Sequence, residues 1–310
     1  MKSPFDLKFV FVVGKGGVGK SSVSAALALA AASSGKRVLL AMCNAKERVS
    51  YLLQTEPVGP QIRRIAPNLD AVNMQPEAAL EEYGMLILKV RALYRLIFEN
   101  RFVSAFLHGT PGIDAWAMLG KAQYHAFEKD ASGRDRYDLV IVDAPATGHG
   151  LDLLRVPRVI VDVAPPGLLR REAERAWQLF RDPERAGVLL VTLPEDMPTQ
   201  ETLELAAAVR DELGLPVAGV ITNQALTPLF RDDEHALLEA LPDELPAQSA
   251  LAPYARASRA RSEREQAQAA CLERLRAGIA APQLTLPLIR SADFRKREIE
   301  LLAGELKRGW

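Results

Sequence analysis

Cysteine is almost missing from this sequence: two residues in 310, Cys43 and Cys271. No disulfide framework and no Cys-x-x-Cys pair can be built from them, which suits a reducing compartment. A dominant charge sign is missing too. Lys plus Arg and Asp plus Glu each number 39, for a formal net charge of +0, so no bulk electrostatic pull toward nucleic acid or an acidic membrane exists. No stretch approaches the ~20 apolar residues needed to span a bilayer. Met1 to Lys8 lacks the long apolar run of a signal peptide. Repeats and low-complexity linkers are absent. These absences lead to the expectation of a cytoplasmic protein with no nucleic-acid partner. What remains is ordinary: 48% hydrophobic and 25% charged residues, enough for a sizeable core.

The apolar pattern alternates between two periods. Phe9 to Val13 is a continuous apolar run ending at Gly14, as expected of a buried parallel strand. Ser21 to Ser33 has helical spacing and stops at Gly35. Further strands are expected at Arg37–Met42, Leu69–Met74, Tyr137–Val142, Val188–Thr192, Val217–Thr222 and Leu284–Leu288. Helices are expected at about 168–180, 198–213 and 253–277, and from about Asp293 to the end. Strands alternating with helices imply a doubly wound, mostly parallel α/β sheet, read as one domain over 1–310. Between residues 76 and 135 the strand pattern fails, and apolar residues such as Leu86, Leu93, Ile97, Phe102 and Phe106 suggest a helical insertion. Its faces suit either a packed helical core or a groove for an apolar client helix.

Gly14-Lys15-Gly16-Gly17-Val18-Gly19-Lys20-Ser21-Ser22 joins the first strand to the first helix. It matches Gly-x-x-x-x-Gly-Lys-Ser/Thr in the strand–loop–helix context that the P-loop requires. Glycines let the backbone turn and bring its N–H groups to phosphate oxygens, and the helix N-terminus adds unpaired donors. Lys20 supplies a cation to the β/γ-phosphates and the Ser21 hydroxyl a Mg²⁺ ligand. The cofactors expected are therefore ATP and Mg²⁺. Asp143, at the end of an apolar strand, is placed to hold that Mg²⁺ through water.

Lys15, an extra lysine at the start of the loop, makes the motif resemble the deviant P-loop of the MinD, ParA and ArsA group. Asp143-Ala144-Pro145-Ala146-Thr147-Gly148-His149 narrows the resemblance to the ArsA family and its tail-anchored-protein-targeting relatives, most of all the mycobacterial ATPases that work as a two-protein complex. The resemblance implies a P-loop NTPase fold and a dimer closed around ATP, either homodimeric or paired with a paralogous ATPase. It implies that Lys15 acts in trans on the partner's nucleotide, alongside Lys20 and Asp143. It also implies that Asn223, in the Val220–Gln224 stretch that ends a strand, and Pro287 contact adenine. Glu195 to Thr202 resembles a further family segment, and read plainly it is a helix start capped by Thr199.

The sequence departs from the family at the first switch. Where the family has an Asp that orients water, this chain has Ala41-Met42-Cys43-Asn44-Ala45-Lys46-Glu47. Cys43 is a poor acceptor, Asn44 can orient water without taking its proton, and Glu47 is the nearest carboxylate. Slow hydrolysis, or hydrolysis completed by a partner, is expected; a non-hydrolysing nucleotide-binding subunit and a carrier of tail-anchored or membrane proteins are the alternatives. Cys43 reads as a buried thiol or a redox sensor. His108 and His125 read as structural, His149 as a moving switch residue or a packed turn residue, and Arg256 to Arg264 with Glu263 and Glu265 as a solvated helix face.

Overall fold

A computed structural model describes residues 2–44, 47–88, 112–145, 149–241 and 249–310. Its centre is a sheet of eight strands: β1 (Phe9–Val13), β2 (Val38–Cys43), β3 (Arg63–Ala66), β4 (Leu69–Met74), β5 (Leu139–Asp143), β6 (Ala186–Thr192), β7 (Val217–Ala225) and β8 (Gln283–Pro287). The spatial order is β3-β4-β2-β5-β1-β6-β7-β8. All neighbours are parallel except β3 and β4. The doubly wound α/β reading is therefore correct.

The sheet is covered on both sides because β1 and β2 are apolar at every position and β5 at all but its last, Asp143. Val10, Val12, Leu40 and Ile141 face one core, together with α1 (Lys20–Ser33) and α10 (Lys296–Gly309). Phe9, Phe11, Leu39 and Val142 face the other, against α4 (Ile113–Phe127), α5 (His149–Val163) and α6 (Leu168–Arg181). A strand with both faces buried has no reason to alternate polar with apolar residues. Phe9, Phe11 and Phe180 lock the second face, with ring centroids 4.9 to 5.1 Å apart. Helix α1 is rich in alanine on all sides, which suits its place between the sheet and α10.

Several elements differ from the sequence reading. Strand β3 was not expected: it is four residues long, carries Arg63 and Arg64 exposed, and forms a charged antiparallel edge. Helix α2 (Val49–Leu53) is too short to show a period. Helix α5 contains Pro157, a residue that argues against a helix from sequence. The helix expected at 198–213 is two pieces: α7 (Asp196–Ala207), then a π-type turn, Ala208–Glu212, before Gly214. Its N-cap is Glu195, not Thr199, which is buried three residues inside. Helix α8 (Asp232–Glu239) was also missed, having no buried residue to give it a period. On α9 (Ala252–Gly278), Arg256, Glu263 and Arg264 are exposed as expected. Glu265 is not: it is buried, accepting from the Leu229 and Phe230 amides and from Arg261. A turn with orphan N–H groups needed a buried acceptor.

Of the segment 76–135, α3 (Pro76–Leu88) and α4 are described, and they pack on each other. Leu93, Ile97, Phe102, Phe106 and His108 lie outside the described residues. The Tyr83 ring meets the Trp116 ring edge-on at 5.9 Å and covers Gly120 so closely that a Cβ there would sit 2.6 Å from it. Gly120→Ala is expected to lower unfolding free energy by about 1–3 kcal/mol through overpacking. Tyr83→Phe is expected to be neutral or stabilising, because the buried Tyr83 hydroxyl has no hydrogen-bond partner among the described residues. Urea denaturation of the two variants checks the pair, and a harmless Gly120→Ala would contradict this packing.

Candidate functional site

The carboxyl ends of β1, β5, β2 and β7 converge at the start of α1. Gly14 leaves β1 against the Val191 carbonyl, and a Cβ there would lie 2.2 Å from that oxygen. Gly19 is the N-cap of α1, with φ 91, and a Cβ on it would meet Asn223 Nδ2 at 2.3 Å. Both positions therefore require glycine. Gly16 and Gly17 form the exposed tip of the loop, whereas Val18 is buried. Among the described residues no side chain caps α1, so its first-turn N–H groups remain available to an anion.

Lys20, Ser21 and Asp143 come together as the sequence suggests. Strand register sets Asp143 beside Val12 of β1 and Met42 of β2. The Ser21 hydroxyl donates to Asp143 Oδ2 at 2.7 Å, and Lys20 Nζ donates to the Lys15 carbonyl at 2.9 Å. Asp143 is 2% exposed and Lys20 8%. Burial pushes the Asp143 carboxyl above the usual carboxylate range, against the pull of the Ser21 and Ser24 hydroxyls and of Lys20. Burial likewise pushes the Lys20 ammonium down, and Asp143 opposes that. A hydroxyl and a carboxylate form a hard oxygen donor set that suits Mg²⁺, and a cation would relieve a buried carboxylate short of positive charge.

Ser24 escaped the sequence reading. Its buried hydroxyl donates to Asp143 Oδ1 at 3.1 Å and fixes the carboxylate's second oxygen. The available signal was helical: Ser24 stands one turn after Ser21, on the same side of α1.

Asn223 is 4% exposed, and its Nδ2 donates to the Val18 carbonyl at 2.9 Å, tying the loop to the end of β7. Asn223 and Pro287 line one cleft of about 210 Å³ with Gly19, Ser22, Gln224 and Phe294. The cleft opens directly from the phosphate loop, so a base joined to a bound phosphate can reach it.

Lys15 is paired within its own chain, with Glu201 of α7. Cys43 is fully buried, and burial, then Asp143, pushes its thiol up; it is a packed strand end. Glu47 accepts from the Ser50 amide at 2.8 Å and from the Ser50 hydroxyl, so it is engaged with the first turn of α2. Ala45, Lys46 and residues 146–148 lie outside the described residues, as does the side chain of His149. His125 is buried, with Nδ1 2.8 Å from Glu128 Oε2. Cys271 is a separate buried thiol on α9.

The buried carboxylate gives a pH prediction. An acid whose pKa is raised on folding holds its proton more tightly in the folded chain. Its contribution is favourable at low pH and is lost as pH rises from the ordinary carboxylate range through the raised value. Asp143→Asn is therefore expected to raise the urea midpoint of the nucleotide-free protein at neutral pH. The gain should shrink as pH falls toward 4, about the ordinary Asp value. A gain that stays constant with pH would contradict the assignment.

Comparison with known proteins agrees with this geometry. The family model described as "Anion-transporting ATPase" matches residues 7–164, half of the chain, from β1 to the end of α5. ATPase BagA of Mycobacterium tuberculosis is 31% identical over 218 residues, covering 69% of this chain and 64% of that protein. An arsenical pump-driving ATPase of Escherichia coli is 29% identical over 262 residues, covering 76% and 44%. ATPase GET3 of Kluyveromyces lactis is 30% identical over 254 residues, covering 71% and 72%. The matches thus span just under two thirds of BagA and less than half of the pump ATPase. With a P-loop and a buried strand-end Asp in place, and with the family model seated over both, this chain belongs to the anion-transporting ATPase family, the ArsA family.

Proposed function

We propose that this chain binds Mg-ATP at the phosphate loop and acts as an ATPase switch that opens and closes a dimer. The observation that carries the reading is the convergence of Lys20, Ser21 and buried Asp143 at an uncapped helix N-terminus. Lys20 and the loop amides of Gly14, Gly16, Gly17, Val18, Gly19 and Ser22 bind the phosphates. Ser21 holds Mg²⁺ directly and Asp143 holds it through water. Mg²⁺ supplies charge neutralisation at the phosphates. Asn223 and Pro287 hold the adenine in the cleft beside Gly19. Names among the relatives favour an adenine nucleotide: each is called an ATPase.

A dimer is proposed because Lys15 is superfluous for phosphate binding within one chain, and a lysine on the loop rim can serve a neighbour's nucleotide. ATP contacts available only in the closed form would give the free-energy difference that such a switch needs. The partner is a second copy or a paralogous ATPase.

One observation favours a second reading, a nucleotide-binding subunit that hydrolyses slowly or only with a partner. Cys43 ends β2 as a buried thiol, and Glu47 is engaged with the Ser50 amide in the first turn of α2. Neither is a free carboxylate to orient water. Nothing in α3 or α4 favours a client groove over a packed core, since Tyr83 and Trp116 fill the space between them. Among the described residues, no helix is long and apolar enough to cross a membrane.

Calorimetry and phosphate release test both readings. Mg-ATP should bind the purified chain with a stoichiometry of about one, and Lys20→Ala should abolish binding. Lys20-dependent steady-state turnover supports the ATPase switch; firm binding without turnover supports the partner-dependent subunit. A well-folded chain that takes up no Mg-ATP would overturn both.

A further inference from the structure

We infer that Glu201 is the positioning residue for Lys15: its carboxylate holds the loop's first lysine within its own chain and must release it before that ammonium can engage a triphosphate. This rests on the triphosphate reading above and adds a partner for Lys15 that the phosphate loop itself does not contain.

The pair is built to be exchanged. Lys15 and Glu201 side chains are 32% and 35% exposed, so solvent keeps their attraction modest. Oε1 of Glu201 meets Lys15; Oε2 is buried and has no hydrogen-bond partner among the described residues. Half of the carboxylate has lost water and gained no donor, which is unfavourable. The contact therefore orders Lys15 without fixing it strongly. A triphosphate carries several negative charges where Glu201 carries one, and charge-assisted bonds to phosphate are the stronger kind. Mg-ADP, lacking the γ-phosphate, offers a weaker competitor.

Glu201 cannot follow when Lys15 leaves, because α7 is anchored away from the loop. Arg274 of α9 pairs with Asp196 and donates from Nη2 to Gln200 Oε1 at 3.0 Å. Space for the lysine to move exists: a cleft of about 540 Å³ borders the pair, with Gly14, Leu151, Asp152 and Arg155 on its walls. Leu151 and Asp152 belong to the first turn of α5, just after the Asp143 loop. Lys15 is also linked to the second lysine, since its carbonyl accepts from Lys20 Nζ at 2.9 Å. A shift of the loop backbone at Lys15 is thus felt by Lys20.

Holding Lys15 in cis lowers the fraction of chains ready to engage nucleotide, and apparent affinity falls by that fraction. Glu201→Gln keeps the size and removes the charge. It is expected to tighten binding of a slowly hydrolysed Mg-ATP analogue by about 2- to 5-fold, the worth of a partly exposed ion pair, and to tighten Mg-ADP binding less. Glu204→Gln, one turn along α7, should change neither. In a Lys15→Ala background, Glu201→Gln should have no effect. A gain that persists without Lys15, or that is equal for Mg-ADP, would overturn the proposal.

A second readout is independent of nucleotide. Acylation of Lys15 by an amine-reactive ester, followed by peptide mass spectrometry on the nucleotide-free chain, should be faster in Glu201→Gln than in wild type or Glu204→Gln. Equal labelling rates would refute the pair itself. Faster labelling in a chain that fails to take up Mg-ATP would refute the role of Glu201 together with the nucleotide reading. Faster labelling with firm but unaltered analogue binding would refute the role of Glu201 alone.

Discussion

Asp143 sits at the end of β5 with almost no exposed surface, held by two hydroxyls from the first two turns of α1. Much of the site is arranged around that carboxylate. A buried charge is tolerated only with partners, so Ser21 and Ser24 are pinned to it and α1 is fixed over the strand end. Fixing α1 sets the loop that precedes it and the direction of Lys20. The sheet supplies the other half of the constraint. Parallel pairing of β1 with β5 puts Asp143 level with Val12, two residues before the loop begins. The carboxylate and the loop cannot separate unless strand register is lost.

Around this centre the site grows by single contacts from different elements. Asn223 ties β7 to the loop through the Val18 carbonyl, and the loop's Gly19 exists in part to let that amide approach. Glu201 ties α7 to the loop through Lys15. β2 contributes Cys43, which packs against the same region but offers no acceptor for chemistry. The loop is therefore held from two sides, and any movement of Lys15 or Lys20 must rearrange named contacts instead of bending a free loop.

Features spread evenly along the chain were readable because they are local. A run of five apolar residues ending at glycine, followed by Lys20 and an alanine-rich helix, specifies β1, the loop and α1 without reference to anything distant. The same holds for β5 and its terminal Asp143. Elements governed by contacts across the fold were not readable. Helix α5 tolerates Pro157 because the surrounding packing outweighs the local cost. Strand β3 exists only as an edge for β4. Glu265 looked like one more surface acid until the Leu229–Phe230 turn was seen to need its oxygens. Thr199 had the right chemistry for a cap, but the chain enters α7 one turn earlier, at Glu195.

Sequence by itself determined the fold class, the phosphate loop and the identity of its lysines, serine and aspartate, since each depends on residue type at fixed short spacing. Tertiary structure alone decided which groups those residues meet. Ser24 on Asp143, Val18 under Asn223, and Glu201 beside Lys15 join positions 119, 205 and 186 residues apart. No local pattern encodes such pairs, because their geometry is set by strand order and helix packing over the whole sheet.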